Sequence, residues 1–143
     1  MKIDQISIFI ENRSGRLAKI ASQLGEAGVN IRAMSLADTS DFGILRLIVN
    51  DTKRAVEALK KQGFTVRISP VIAVEIADMP GELGKFLNAI EKSGLNVEYM
   101  YAYVQKSGEH AVIIFNFEDL DKAIEAVRNA GMKVLSREEI LML

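Results

Sequence analysis

The sequence has 143 residues, a length that suits one ordinary domain or two very small ones. Apolar residues make up 49% and charged ones 26%, which excludes wholesale disorder, and a net charge of −1 lacks the basic field of a nucleic-acid or anionic-membrane binder. The absence of Cys excludes disulfides, thiolate metal sites and Cys nucleophiles. The apolar runs are shorter than the ~20 residues that span a bilayer, and Met1-Lys2-Ile3-Asp4-Gln5 lacks a signal-peptide layout, so a cytoplasmic protein is expected.

Gln5 to Ile10 alternates and is rich in β-branched residues, which predicts a strand. Asn12 to Gly15 is turn chemistry. Leu17, Ile20, Ala21 and Leu24 then recur at helical spacing, and Gly28 stops the helix. Ile31 to Ala37 and Ile44 to Val49 read as strands around an Asp38-Thr39-Ser40-Asp41 turn. Asp51 or Thr52 can cap a helix with the apolar face Ala55, Val56 and Leu59, ended by Gly63, and Phe64 to Ile68 is a fourth strand. The same order follows again. Val71 to Ile76 is a strand, and Leu83, Phe86, Leu87 and Ile90 form a helix that Gly94 ends. Asn96 to Val104 and Ala111 to Phe117 flank Lys106-Ser107-Gly108-Glu109, and a helix through Ala123, Ile124 and Val127 leads to the strand Met132 to Leu135. Ser136-Arg137-Glu138-Glu139 has capping-box spacing and predicts a last helical turn.

This recurrence is an internal repeat. Glu11 to Lys19 matches Ala77 to Lys85 at an offset of 66, and Gly28-Val29-Asn30-Ile31 matches Gly94-Leu95-Asn96-Val97 at the same offset. From Asp51 onward the offset is 68, which puts a two-residue insertion between Met100 and Asp119. The expected architecture is α+β: two ferredoxin-like βαββαβ units in tandem, with antiparallel sheets and both helices on one face. The expected domains are residues 1–69 and 70–143, with a break at Ser69-Pro70. Residues 1–70 carry 11 Lys+Arg against 7 Asp+Glu, and residues 71–143 carry 7 against 12. That opposition favours docking of the halves, or is only the drift of two solvated surfaces.

Chemistry concentrates at the first βα turn of each unit. Gly15 and Gly81 sit where a strand hands over to a helix, and exposed N–H groups at a helix start favour an anion such as a carboxylate. Asn12 and Asp78 precede them by three residues and can either cap the helix or hold the polar head of a ligand. Asn30 and Asn96 recur in a Gly-apolar-Asn-apolar context. His110 is the only His and has no Cys or second His beside it, so no metal site or general acid/base role is expected. Tyr99, Tyr101 and Tyr103 share one strand face and suit a half-buried stripe better than a stacking platform, and Met34 and Met100 suit core or interface filling.

Each unit resembles an ACT domain, a small-molecule-binding regulatory module of amino-acid metabolism. Asp78-Met79-Pro80-Gly81-Glu82-Leu83 with Gly94-Leu95-Asn96-Val97 carries the resemblance, and so does Glu11-Asn12-Arg13-Ser14-Gly15-Arg16-Leu17 with Gly28-Val29-Asn30-Ile31, where Ser14 replaces Pro. The resemblance implies a free amino acid bound at an interface between ACT domains. Asn12, Arg13, Ser14, Gly15 and Leu17 would then face Asn96 and Val97, while Asp78, Met79, Gly81 and Leu83 would face Asn30 and Ile31. The two sites are unequal, since Arg13 suits an acidic group and Met79 an apolar side chain. The implied protein is non-catalytic and needs no cofactor. It is a homo-oligomer, expected as a homodimer, and it signals through domain arrangement, oligomer state or a partner enzyme. A protein–protein interaction or oligomerisation module with degenerate pockets is the alternative. RNA binding is disfavoured by the missing basic RNP pattern, and hydrolysis by the lack of a nucleophile–base pair.

Overall fold

The computed structural model describes residues 1–38, 40–103 and 109–143. Thr39, Val104 and Lys106-Ser107-Gly108 of the expected hairpins lie outside the described residues. Backbone contacts divide the chain into two compact units, Asp4–Ser69 and Met1–Ile3 with Pro70–Leu143.

The first unit contains β1 (Ile3–Glu11), α1 (Arg16–Glu26), β2 (Ile31–Asp38), β3 (Phe42–Val49), α2 (Thr52–Lys61) and the start of β4 (Thr65–Ala77). Its strands run in the order β2-β3-β1-β4, with β3 antiparallel to both β1 and β2. Alternation places Ile6, Ile8 and Ile10 of β1 and Leu45, Leu47 and Val49 of β3 on one face, where they bury against Ile20 and Leu24 of α1 and Ala55 and Leu59 of α2. The Asp51 carboxylate accepts from the Arg54 N–H at 3.1 Å and starts α2.

The second unit takes the rest of β4, then α3 (Glu82–Lys92), β5 (Val97–Tyr103), β6 (His110–Phe117), α4 (Leu120–Asn129), β7 (Lys133–Leu135) and α5 (Arg137–Met142). Its order is β5-β6-β4-β7, all antiparallel. Phe86 of α3 packs on Phe115 of β6 at 4.8 Å between ring centres, within a core that also holds Ile72, Val74, Ile90, Ala123 and Val127. Each unit is therefore a ferredoxin-like βαββαβ unit with its helices on one face of an antiparallel sheet.

One detail departs from the sequence reading, and others refine it. Ser69-Pro70 does not break the chain, because both residues lie inside the continuous 13-residue strand β4. Proline biases the residue before it toward extended backbone, so it can continue a strand wherever no ladder donor is needed. Of the two roles open to Met34 and Met100, core or interface filling, the core is excluded. These residues lie 52% and 37% exposed on β2 and β5, the last strands of their units' sheets. The tail forms a helix of six residues, opened by a full capping box: Glu139 N–H donates to Ser136 Oγ at 3.2 Å and Ser136 N–H to Glu139 Oε2 at 2.8 Å. Helix α5 covers the sheet face opposite α3 and α4. There Tyr101 and Tyr103 are buried, and the Tyr103 hydroxyl donates to the Ile140 carbonyl at 2.9 Å. The tyrosine stripe is thus structural. No helix among the described residues is long and apolar enough to cross a membrane.

Candidate functional site

Strand β1 ends at Glu11, and Gly15 starts α1 with φ 88° and ψ −14°. In the second unit Gly81 starts α3 with φ 90° and ψ −14°. The hydrogen bonds of the two turns correspond one by one. Asn12 N–H donates to the Asp41 carbonyl at 2.9 Å, and Asp78 N–H to that of Glu109 at 3.1 Å. Arg13 N–H donates to Glu11 at 2.9 Å, and Met79 N–H to Ala77 at 3.0 Å. Ser14 in place of Pro80 therefore leaves the turn geometry intact. The match of Asp41 with Glu109 also places the two-residue insertion between Met100 and Glu109, in the β5–β6 connection.

Neither α1 nor α3 has a side-chain cap. The capping role open to Asn12 and Asp78 is not what they perform. Asn12 Nδ2 instead donates to the Ser40 carbonyl at 3.3 Å, which ties the βα turn to the β2–β3 hairpin. The first-turn N–H groups of both helices are left without side-chain acceptors, and the helix dipole adds partial positive charge there.

In the first unit the turn walls a cavity of about 280 Å³. Asn12, Arg13, Ser14, Gly15 and Leu17 all line it. Its floor is made by residues the sequence reading did not single out: Ile10, Leu36 and Gly43, with Asp38 and Arg16 at the sides. Gly43 is buried, and a Cβ there would come within 3.3 Å of the Ala37 carbonyl and 3.4 Å of Leu36 Cδ1. Only the structure shows this close approach, since Gly43 stands inside β3 and not at a strand-to-helix junction. Arg13 Nε pairs with Glu11 Oε2 at 3.2 Å on the surface, whereas Arg16 makes no ion pair among the described residues and lies 5.0 Å over the Phe64 ring.

The second turn differs in charge. Met79 is 66% exposed, and Glu82 occupies the first turn of α3, with Lys85 Nζ 2.7 Å from its carboxylate. Leu83 and Val97 are half-buried against the second core. Within the first unit, Asn30 and Ile31 stand at the start of β2, a strand's length from the turn at its other end, and they do not line the cavity. Asn30 N–H donates to Asn50 Oδ1 at 2.9 Å, and its carbonyl accepts from Asn50 N–H at 3.1 Å. Asn96 is exposed at the corresponding place in the second unit. His110 is exposed at the start of β6, and no cluster of metal-ligating side chains occurs among the described residues.

A family model described as an ACT domain pair matches residues 1–143. The structure of protein BT0572 from Bacteroides thetaiotaomicron superposes with a TM-score of 0.92 at 34% identity, covering 100% of this chain and 98% of that one. The ligand-free regulatory subunit of aspartate kinase from Thermus thermophilus shares the fold, with a TM-score of 0.67 at 22% identity over 89% of this chain and 91% of that one. An acetolactate synthase small subunit of Buchnera aphidicola is 31% identical over 64 residues, which span 43% of this chain and 40% of that protein.

Proposed function

The chain belongs to the ACT domain pair family, and on that premise we propose that it is a non-catalytic regulatory module that binds a free amino acid. The turn cavity of the first unit carries this reading. It combines uncapped helix N–H groups and the Asn12 side chain with the apolar residues Ile10, Leu17 and Leu36, and Arg13 and Arg16 also line it. Donors of that kind suit an α-carboxylate, and the floor suits an aliphatic side chain. In this reading a neighbouring ACT domain supplies the far wall, with Asn96 and Val97 as its contributors. The similarity to a small subunit of acetolactate synthase supports a partner enzyme of amino-acid metabolism.

The two turns are proposed to take different loads. Around Asn12 the ligand meets Arg13 and Arg16, which favours its carboxylate. Around Asp78 the acidic Glu82 already fills the helix start, so Asp78 is left for the ligand's ammonium and Met79 for its side chain. Regulation then requires that the ligand bind one domain arrangement or oligomer better than another.

A thermal-shift screen against the twenty amino acids at millimolar concentration tests the reading. A ligand at about 100 times its Kd adds roughly 2.7 kcal/mol, a clear rise in Tm for a chain of this size. One selective hit, weakened by Asn12→Ala or Asp78→Ala, is the expected result. A flat screen sinks the sensor and favours the second reading, an oligomerisation or interaction module acting in the cytoplasm. That alternative draws on one specific observation: Leu17, Met34 and Leu36 are 40%, 52% and 48% exposed around β2 of the first unit.

A further inference from the structure

We propose that the sheet face of the first unit opposite its helices holds a separate small-molecule site, for a planar aromatic ligand that bears a carboxylate or phosphate. Phe9 of β1 and Phe42 of β3 stack there at 5.1 Å between centres and 22° between planes, yet they remain 51% and 45% exposed. Rings of this size normally bury most of their surface, so a half-exposed pair on an ordered sheet face offers a ready platform for a third ring. Phe9 also walls a cavity of about 310 Å³ together with Ser7, Ile44, Thr65 and Arg67. That volume is at the small end of ligand pockets and suits one ring system with a short substituent.

The polar groups complete the argument. Arg67 is exposed and has no ion pair or side-chain hydrogen bond among the described residues. A guanidinium beside an aromatic wall is the group that recognises a planar carboxylate or a phosphate in two-pronged fashion. Ser7 Oγ accepts from Gln5 Nε2 at 3.2 Å, which leaves the Ser7 hydroxyl hydrogen to donate, and Thr65 adds a second hydroxyl on the same wall.

The internal repeat supplies a control within the molecule. In the register of the second unit these positions are Ala73, Glu75, Val112, Lys133 and Leu135, and Ala73 pairs with Leu135 just as Ser7 and Arg67 line one cavity. There the ring is replaced by a carboxylate and the guanidinium by leucine, and α5 covers the face. The site is therefore single, one per chain. It shares no residue with the turn cavity, so it stands or falls apart from the amino-acid reading.

The test uses the full chain and two probes, indole-3-acetate and adenosine monophosphate. The sequence contains no Trp, so indole emission is read without tryptophan background. Saturable binding of at least one probe at one site per chain is expected, and which probe binds separates the carboxylate from the phosphate. Arg67→Gln should weaken it about tenfold or more, the scale of a lost charge-assisted hydrogen bond. Phe9→Val should weaken it too, the neutral indole-3-acetamide should bind as poorly as Arg67→Gln binds the acid, and Lys53→Gln on α2 should change nothing. All variants have exposed side chains, and circular dichroism with Tm checks their folding. No saturable binding of either probe at millimolar concentration, or equal binding by wild type, Arg67→Gln and Phe9→Val, overturns the proposal.

Discussion

At Gly15 and Gly81 the backbone has φ near 90°, and nothing lies within 4 Å of where a Cβ would stand. Any cost of a side chain there is conformational rather than steric. Gly15→Ala and Gly81→Ala should each destabilise the protein by about 1 kcal/mol or more, measured by urea unfolding. Gly43 is the opposite case. Its φ is ordinary, but a Cβ would press on the Ala37 carbonyl at 3.3 Å. Gly43→Ala should cost about 1 kcal/mol by overpacking, and it should weaken the amino-acid hit by narrowing the cavity floor. Gly15 and Gly81 were legible because each stands at a strand-to-helix junction and recurs at the repeat offset. Gly43 was not. Its closest neighbours belong to β2 and β1, and which strands flank a glycine is decided by pairing, not by local sequence.

Helix α5 is an element held by its first turn. The Ser136 side chain and the Glu139 carboxylate satisfy each other's backbone donors, and Lys133 Nζ lies 2.7 Å from Glu139 Oε1. The hydrogen bond from Lys133, and then that from the Ser136 backbone, lower the Glu139 pKa from its ordinary 4.5 to about 2. A carboxyl whose folded pKa is depressed contributes stability that is present above its ordinary value and is lost as the pH falls through the folded one. Exchange of the α5 amides should therefore speed up as the pH drops from about 4.5 toward 2, after correction for intrinsic exchange. Glu139→Gln should flatten that dependence, and Ser136→Ala should loosen α5 at every pH by about 1 kcal/mol. The capping box was readable from Ser-x-x-Glu. That α5 lies on Tyr101 and Tyr103 was not, since the stripe alone says only that one face is apolar. The uninterrupted β4 was hidden because Ser69-Pro70 has turn composition, although proline also biases the residue before it toward extended backbone.

For the molecule as a whole, the amino-acid reading makes assembly the measurable output. A ligand that shifts domain or oligomer populations must change sedimentation or small-angle scattering at saturation, and equal profiles with and without it would argue against that mechanism. The exposed apolar edge at β2 makes a second prediction at the same scale. Leu36→Glu should lower the self-association constant by about tenfold or more while leaving Tm nearly unchanged, because the side chain is 48% exposed and contributes little to the core. Size-exclusion chromatography across a concentration series checks it. An unchanged profile would remove the edge from the interface.

The sequence by itself determined the repeat, the order of elements, the faces that bury and the two βα turns. These follow from periodicity, turn chemistry and the need for glycine at a left-handed position, all of them local. The ACT resemblance rests on the same local motifs, and the match of the ACT domain pair family to residues 1–143 agrees with it. Tertiary structure alone decided which residues floor the turn cavity, that Asn12 ties to the β2–β3 hairpin rather than capping α1, and that Phe9, Phe42 and Arg67 come to one open face. Each of these depends on which strand lies beside which, and pairing is a contest among distant segments that no single window of sequence records.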